Sequence, residues 1–235
     1  MAPDRATARR KPTLSEQSAI ETHKRAAAEA AAPMVEDGMR VGLGTGSTVA
    51  YLLLALAARE LRDVRYVATS PATEQDAREL GLAVHGLNEL GVLDLAIDGA
   101  DQIDPEGWLI KGGGAAHTRE KIVARCAQRF VVIASAEKVV SALSAPVPLE
   151  ILRFGVQSTL EALIPAQLRK VPLSPDGNLI ADYLGAVEDP RRLSAWLSGT
   201  PGVVEHGLFA PELVSYILIA GAGGVERREG GKSDG

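Results

Sequence analysis

Cysteine occurs once, as Cys126, so no disulfide can form within the chain. That usage fits a reducing compartment and sets a cytoplasmic location as the expectation. No apolar run reaches the ~20 residues that a membrane-spanning helix needs. The opening MAPDRATARRKPTLSEQ has no apolar core of the kind a secretory signal carries. Its arginines imitate an organelle transit peptide, but nothing else in the chain supports that reading. There is no run of lysine or arginine either. With 25 basic and 30 acidic residues the net charge is −5, which excludes a general nucleic-acid or membrane-surface binder. The histidines His23, His85, His117 and His206 are dispersed, with no zinc-ligand spacing among them. An anionic ligand would therefore have to be held locally, by single lysines and backbone N–H groups.

What is present is enough apolar residue, 46% of 235, for one well-packed domain with a smaller one attached. The spacing predicts a helix over 15–35 with Ser15 as N-cap, strands at 40–43, 65–70, 93–97 and 130–134, and helices at 49–61, 73–80, 115–128 and 137–143. That alternation implies an α/β fold: an open, mostly parallel, Rossmann-like sheet with helices on both faces. After Pro148 the pattern changes to an edge-like segment running into 150–154, a helix at 157–163, strands at 167–173 and 179–183 around a DG turn, a helix at 190–197 and a strand at 203–208. These make a small α+β, ferredoxin-like unit, before a strand at 213–220 returns to the main sheet. The expected organisation is thus a disordered N-terminal extension (1–14), a main domain (15–148 and 209–221), a small domain (149–208) and a frayed, glycine-rich tail (222–235).

Three motifs fall where strands end or helices begin. GLGTGST (42–48) joins a strand to a helix. Gly44 and Gly46 admit close backbone approach, the helix start offers N–H groups and a positive dipole end, and Ser47 and Thr48 add hydroxyls, so a phosphate is the natural ligand. It is neither a dinucleotide fingerprint nor a Walker loop, and a plain tight turn would look similar. DGAD (98–101) closes the apolar strand LDLAI. Two close carboxylates, Asp98 and Asp101, push one pKa up and suit proton shuttling between hydroxyls. Paired aspartates also hold divalent metals, but Gln102 and Asp104 are poor further ligands, and an isolated DGAD is most often an Asx-type turn. KGGGAAHTRE (111–120) is the sharpest signal. Three consecutive glycines ahead of a helix are costly in backbone entropy and make sense where N–H groups must face a ligand. A cation (Lys111) and a base (Glu120) beside the aspartate pair suit proton abstraction next to a carbonyl, since the developing oxyanion needs a cation or N–H donors. Surface ion pairs among Arg119, Glu120 and Lys121 are the plainer alternative. Cys126 sits among apolar residues, as a structural thiol would, and Trp108 and Trp196 are most simply packing residues.

Taken together, GLGTGSTV, YVATS, LAIDGADQID, LIKGGGAAHTREKIVA, FVVIA with a following lysine, PVPLEIL, DGNLIADY and PGVVEHGLF occur in an order that resembles type A ribose-5-phosphate isomerase. The resemblance spans Lys24 to Ala220. It implies interconversion of D-ribose 5-phosphate and D-ribulose 5-phosphate in the non-oxidative pentose phosphate pathway, through an enediol(ate), without metal or other cofactor, by a homodimer or homotetramer. It further implies that Glu120 moves the proton between C1 and C2. Lys111 and the N–H groups of Gly112, Gly113 and Gly114 would stabilise the oxyanion. Asp98 would shuttle hydroxyl protons, and Asp101, with Gly99 and Ala100 in the same loop, would orient the sugar. Thr45, Gly46, Ser47 and Thr48 would cradle the substrate, with Lys24 and Lys138 at family lysine positions.

Three departures from that pattern stand out. Ser135 occupies the place of a usual aspartate after the FVVIA strand, with Glu137 as a compensating group. The insert is short between its first helix and the DGN turn, and the turn itself reads SPDGN. Two other function classes remain open on the residues alone. A sugar-phosphate sensor would need a DNA-binding helix-turn-helix, but the stretch before the first strand reads as one helix. An acyl-CoA transferase would need room for coenzyme A.

Overall fold

The computed structural model describes residues 13–232; the expected disordered extension and the arginine-rich leader-like stretch lie almost wholly outside them. In chain order come α1 (Leu14–Ala31), β1 (Arg40–Leu43), α2 (Ser47–Ala57), β2 (Arg65–Ala68), α3 (Pro71–Glu79), α4 (Leu87–Leu90), β3 (Leu93–Asp98), β4 (Gln102–Ile103), β5 (Leu109–Ile110), α5 (His117–Cys126) and β6 (Ala127–Ser135). They are followed by β7 (Val147–Ile151), α6 (Val156–Ala162), β8 (Ala166–Leu168), β9 (Leu179–Tyr183), α7 (Pro190–Gly199), β10 (Val203–His206), β11 (Leu208–Phe209), β12 (Tyr216–Gly221) and β13 (Gly224–Glu229).

The main sheet has the order β13-β12-β6-β3-β1-β2. All neighbours are parallel except the β12–β13 pair. Counting only the parallel strands, the order is 2-1-3-4-5, so the direction of winding reverses between β1 and β3, and a crevice opens there at the carboxyl ends of the strands. Helices α1 and α2 cover one face, where Ala27, Ala31, Leu52 and Leu56 pack on Leu43, Leu95, Ile97, Val131 and Ile133. On the other face, Val123 and Ala124 of α5 pack on Ala96, Phe130 and Val132. Burial on both sides is why these strands are continuous apolar runs. The α/β class expected from the sequence is the one observed.

The small domain is a four-stranded antiparallel sheet of order β10-β7-β9-β8. Its chain order is strand, helix, strand, strand, helix, strand, the ferredoxin-like arrangement. It has its own core of Leu149, Ile151, Leu163, Ala181 and Leu197. A third, short sheet, β11-β5-β4, joins the two units and was not anticipated; its strands are too short to show a period.

Several boundaries moved, each for a local reason. Thr13, not Ser15, caps α1, through a capping box with Glu16. The helix expected at 137–143 is only a 3-10 turn, Ala136–Lys138, because Val139 is extended and bridges Ile103 and Val140 N–H donates to the Ile103 carbonyl. The segment read as edge-like is β7, which lies between β9 and β10. Its pairing with β10 stops at Leu149 opposite His206, so Pro148 falls beyond that ladder and its missing N–H breaks no rung there. The strand expected at 167–173 is only β8, and α4 was not foreseen. The small sheet runs from Val147 to His206, against the expected 149–208.

The tail is the largest correction. Gly224–Glu229 is a strand, not a frayed end, paired with β12 along its length. Its charged composition hid it, but Arg227 stacks 3.7 Å from the Tyr216 ring centre and Lys232 Nζ reaches the Ala127 carbonyl at 2.6 Å. Deleting residues 222–235 should lower the melting temperature by several degrees, at ~2–4 °C per kcal/mol for a chain of this size, and promote self-association by baring the β12 edge. Unchanged melting and solution behaviour would show that the hairpin contributes nothing.

Candidate active site

Asp98 is the last residue of β3 and is almost fully buried, at 3% exposure. One carboxylate oxygen, Oδ1, accepts the N–H of Gly99 at 2.7 Å and of Thr45 at 3.1 Å. The other, Oδ2, lies 2.8 Å from Lys111 Nζ. Gly44 makes this possible: a Cβ there would sit 1.9 Å from the Asp98 carboxyl carbon, so only glycine lets the loop after β1 cross the end of β3.

Lys111 follows β5. Its N–H donates to the Gly207 carbonyl at 2.8 Å, and the Asp101 N–H donates to the Ile110 carbonyl at 2.8 Å, which ties the DGAD loop to the same short sheet. The Lys111 ammonium, itself 2% exposed, touches Asp98, lies 3.2 Å from Glu120 Oε2 and donates to the Gly99 carbonyl at 2.6 Å. The centre of the Phe209 ring lies 5.5 Å from the Lys111 nitrogen and 4.9 Å from that of Lys121. Glu120 is carried inward by the first turn of α5.

Burial alone would strip the proton from Lys111, but the charges of Asp98 and Glu120 outweigh it and hold the ammonium above the usual lysine range. Burial pushes the Asp98 carboxyl up, against the pull of Lys111 and its N–H donors. Burial also pushes Glu120 up to about 8, reinforced by the charge of Asp98 and opposed by Lys111. One cation faces two buried carboxyl groups, so both are pushed toward their protonated forms.

The triple-glycine loop closes the floor. Gly112 has φ +104°, and a Cβ on it would meet His117 Nδ1 at 2.7 Å, so the loop lies directly on that buried ring. Burial and the charge of Lys121 hold His117 down to about 4, keeping the ring neutral. The Gly113 N–H donates to Asp101 Oδ2 at 2.8 Å.

Above the floor is a cavity of about 130 Å³. Its wall comprises Thr45, Gly46, Ser47, Thr48, Gly99, Ala100, Asp101, Lys111, Gly112, Gly113, Gly114, Glu120 and Lys138. The three motifs thus converge at the switch point between β1 and β3. Gly46 caps α2 with no side-chain hydrogen bond, so the first-turn N–H groups are left for a ligand. Lys138 stands at the same wall, and Ser135 donates to Glu137 at 2.5 Å just before it. Two expected residues are outside that lining: Asp98, which lies behind it against Lys111, and Lys24. Lys24 pairs with Glu21 at 2.6 Å on α1. Among the described residues no group of three or more His, Cys, Asp or Glu is placed to hold a metal, and no helix is long and apolar enough to cross a membrane.

The family model for ribose 5-phosphate isomerase A (phosphoriboisomerase A) matches residues 65–224. The chain belongs to the ribose 5-phosphate isomerase A family. A member from Caulobacter vibrioides is 47% identical over 219 residues, covering 87% of this chain and 96% of its own. The crystal structure of ribose 5-phosphate isomerase A from Neisseria gonorrhoeae superposes with a TM-score of 0.85 at 31% identity, covering 89% of this chain and 97% of that one. A second family structure, in complex with phospho-erythronic acid, has a TM-score of 0.85 at 34% identity, covering 89% of this chain and 99% of that one.

Sequence reasoning missed the groups that support the motifs of this family fold from outside them. Arg169 lies outside every quoted stretch, and Asp182 in DGNLIADY and Phe209 in PGVVEHGLF carried no assigned role. Only the β8–β9 register, with Gln167 opposite Asp182, brings the first two together.

Two outcomes follow from this geometry. Gly44→Ala must displace Asp98 and should lower kcat/KM by ~10²-fold or more, the usual cost of misplacing a catalytic group by about an ångström; wild-type kinetics would show that the crossing relaxes freely. For a base at Glu120, which acts only when ionised, the expected kcat/KM rises with pH through a limb near 8. A flat profile from pH 6 to 9 would contradict the raised carboxyl.

Proposed function

We propose that this chain interconverts D-ribose 5-phosphate and D-ribulose 5-phosphate, with Glu120 as the carbon base and Lys111 as the electrophile. The observation that carries the reading is the Lys111 ammonium buried between Asp98 and Glu120, at 2.8 and 3.2 Å, in the floor of the cavity. A cation held there stabilises negative charge that appears only during the reaction, in a dry site where such charge is otherwise very unfavourable.

In the open-chain aldose, ionised Glu120 removes the proton from C2. The electron pair moves toward the carbonyl, and the negative charge on O1 is met by Lys111 and by N–H groups of Gly112–Gly114. Asp98 carries the hydroxyl proton between O2 and O1 in the enediol(ate), and Glu120 returns its proton to C1, which gives the ketose. Asp101 fixes the hydroxyls. The phosphate takes the first turn of α2, with Thr45 to Thr48 and Lys138. Lys24 belongs to this phosphate end on the family resemblance alone. A small polar cavity supports a sugar phosphate over coenzyme A as the ligand.

The same reading places the enzyme in a reducing cytoplasm, in the non-oxidative pentose phosphate pathway, without a metal. It works as a homodimer or homotetramer, which is supported by the exposed apolar residues Phe154 at 93%, Ile164 at 73% and Leu152 at 45% on the small domain.

The test is to incubate EDTA-treated protein with ribose 5-phosphate and follow ribulose 5-phosphate. Turnover should persist. Glu120→Gln should remove ~10²–10⁴-fold of it, and Lys111→Met ~10²–10³-fold. Near-normal turnover by folded Glu120→Gln would sink the assignment of the base.

A further inference from the structure

We propose that Arg169, reaching across from the small domain, is a positioning residue of the active site that aims the N–H groups of the triple-glycine loop at the cavity. The proposal rests on the reading of that loop as an oxyanion donor. Arg169 stands just after β8. Its Nη1 donates to the carbonyl of Gly112 at 3.0 Å and to that of Gly113 at 3.3 Å. Its other two nitrogens are taken by Asp182 on β9: Nε donates to Oδ2 at 2.7 Å and Nη2 to Oδ1 at 2.6 Å. The guanidinium is therefore fixed on one edge by a two-point carboxylate pair and spends its remaining edge on two consecutive peptide carbonyls.

A trans peptide is planar, and its C=O and N–H point in opposite directions. Holding the Gly112 carbonyl outward turns the Gly113 N–H inward. That N–H is found on the cavity side, donating to Asp101 Oδ2 at 2.8 Å. By the same rule, holding the Gly113 carbonyl outward turns the Gly114 N–H toward the cavity, which Gly114 lines.

The loop's own hold on the Gly112 carbonyl is one turn, the Ala115 N–H donating to it at 3.0 Å; Arg169 adds the bond from outside and is the side-chain donor to the Gly113 carbonyl. The loop's glycines carry no side chains to lock the backbone, and positive φ at Gly112 and at Ala115 (+61°) departs from regular structure. A cation bonded to the carbonyl also polarises the peptide, so its N–H becomes a stronger donor. Lysine cannot reproduce this: one ammonium cannot make a planar fork to Asp182 and reach both carbonyls. The small domain thus takes part in catalysis, through a residue that touches no substrate.

The test compares wild type with Arg169→Ala, Arg169→Lys, Asp182→Asn and, as reference, Glu120→Gln. It measures kcat and KM for ribose 5-phosphate, affinity for phospho-erythronic acid, and thermal melting. Arg169→Ala should lower kcat by up to ~10²-fold with KM nearly unchanged, and kcat/KM should fall by the same factor, as when an interaction made only in the transition state is lost. Arg169→Lys and Asp182→Asn should lie between Ala and wild type. Unchanged kcat in folded Arg169→Ala would overturn the proposal, as would a loss expressed only as raised KM or one matching the unfolded fraction in the melt. Should Arg169→Ala not fold, Asp182→Asn decides: an unaltered kcat there overturns it equally. Full turnover by Glu120→Gln would instead overturn the site reading on which the proposal rests.

Discussion

An ammonium group nearly sealed from water, with one carboxylate 2.8 Å away and a second at 3.2 Å, is expensive to assemble, and much of the local architecture exists to make it tolerable. Removing a charge from water costs several kcal/mol unless partners replace the lost hydration. Lys111 has two carboxylates, the Gly99 carbonyl and the face of Phe209. These partners come from three parts of the chain: the DGAD stretch at the end of β3, which supplies Asp98 and Gly99, the first turn of α5, and β11 returning from the small domain. The buried charge therefore also ties these segments to one another, and replacing it perturbs the packing around the cavity.

The parallel sheet explains why the rest of the site collects around that point. Reversal of winding between β1 and β3 leaves their carboxyl ends uncovered, and the helices following them start there. One helix start, at α2, presents unsatisfied N–H groups to an anion. The other, at α5, carries Glu120, whose carboxyl is pushed up by burial and by the charge of Asp98. The cavity thus has helix-start N–H groups at one end and buried ionisable groups at the other, both brought there by the same topological feature.

Much of this was legible from residue order because the site is made of contiguous motifs. GLGTGST, DGAD and KGGGAAHTRE each state a local backbone requirement, and each appears at a strand end or helix start. The parallel strands were legible because both their faces are buried. What escaped was non-local. The strand Gly224–Glu229 looks like a charged tail until β12 offers it an edge. The supposed helix after Lys138 is overruled by a bridge from Val139 to Ile103. Lys24 carries no local signal that separates a phosphate ligand from a surface lysine, and its nitrogen pairs with Glu21. The Arg169–Asp182 pair spans a hairpin whose register no short-range pattern reveals.

The neck of the small domain has a consequence for how such a chain tolerates change in length. The chain leaves the main body at β7 and returns at Gly207, whose N–H donates to the Pro148 carbonyl at 2.7 Å. Beyond that staple, β8 takes its position from its ladder with β9, not from the connection that follows α6. The sheet therefore acts as a ruler. Residues can be gained or lost between α6 and β8 at only the slowly growing entropic cost of closing a loop, while the point from which Arg169 projects stays where it is.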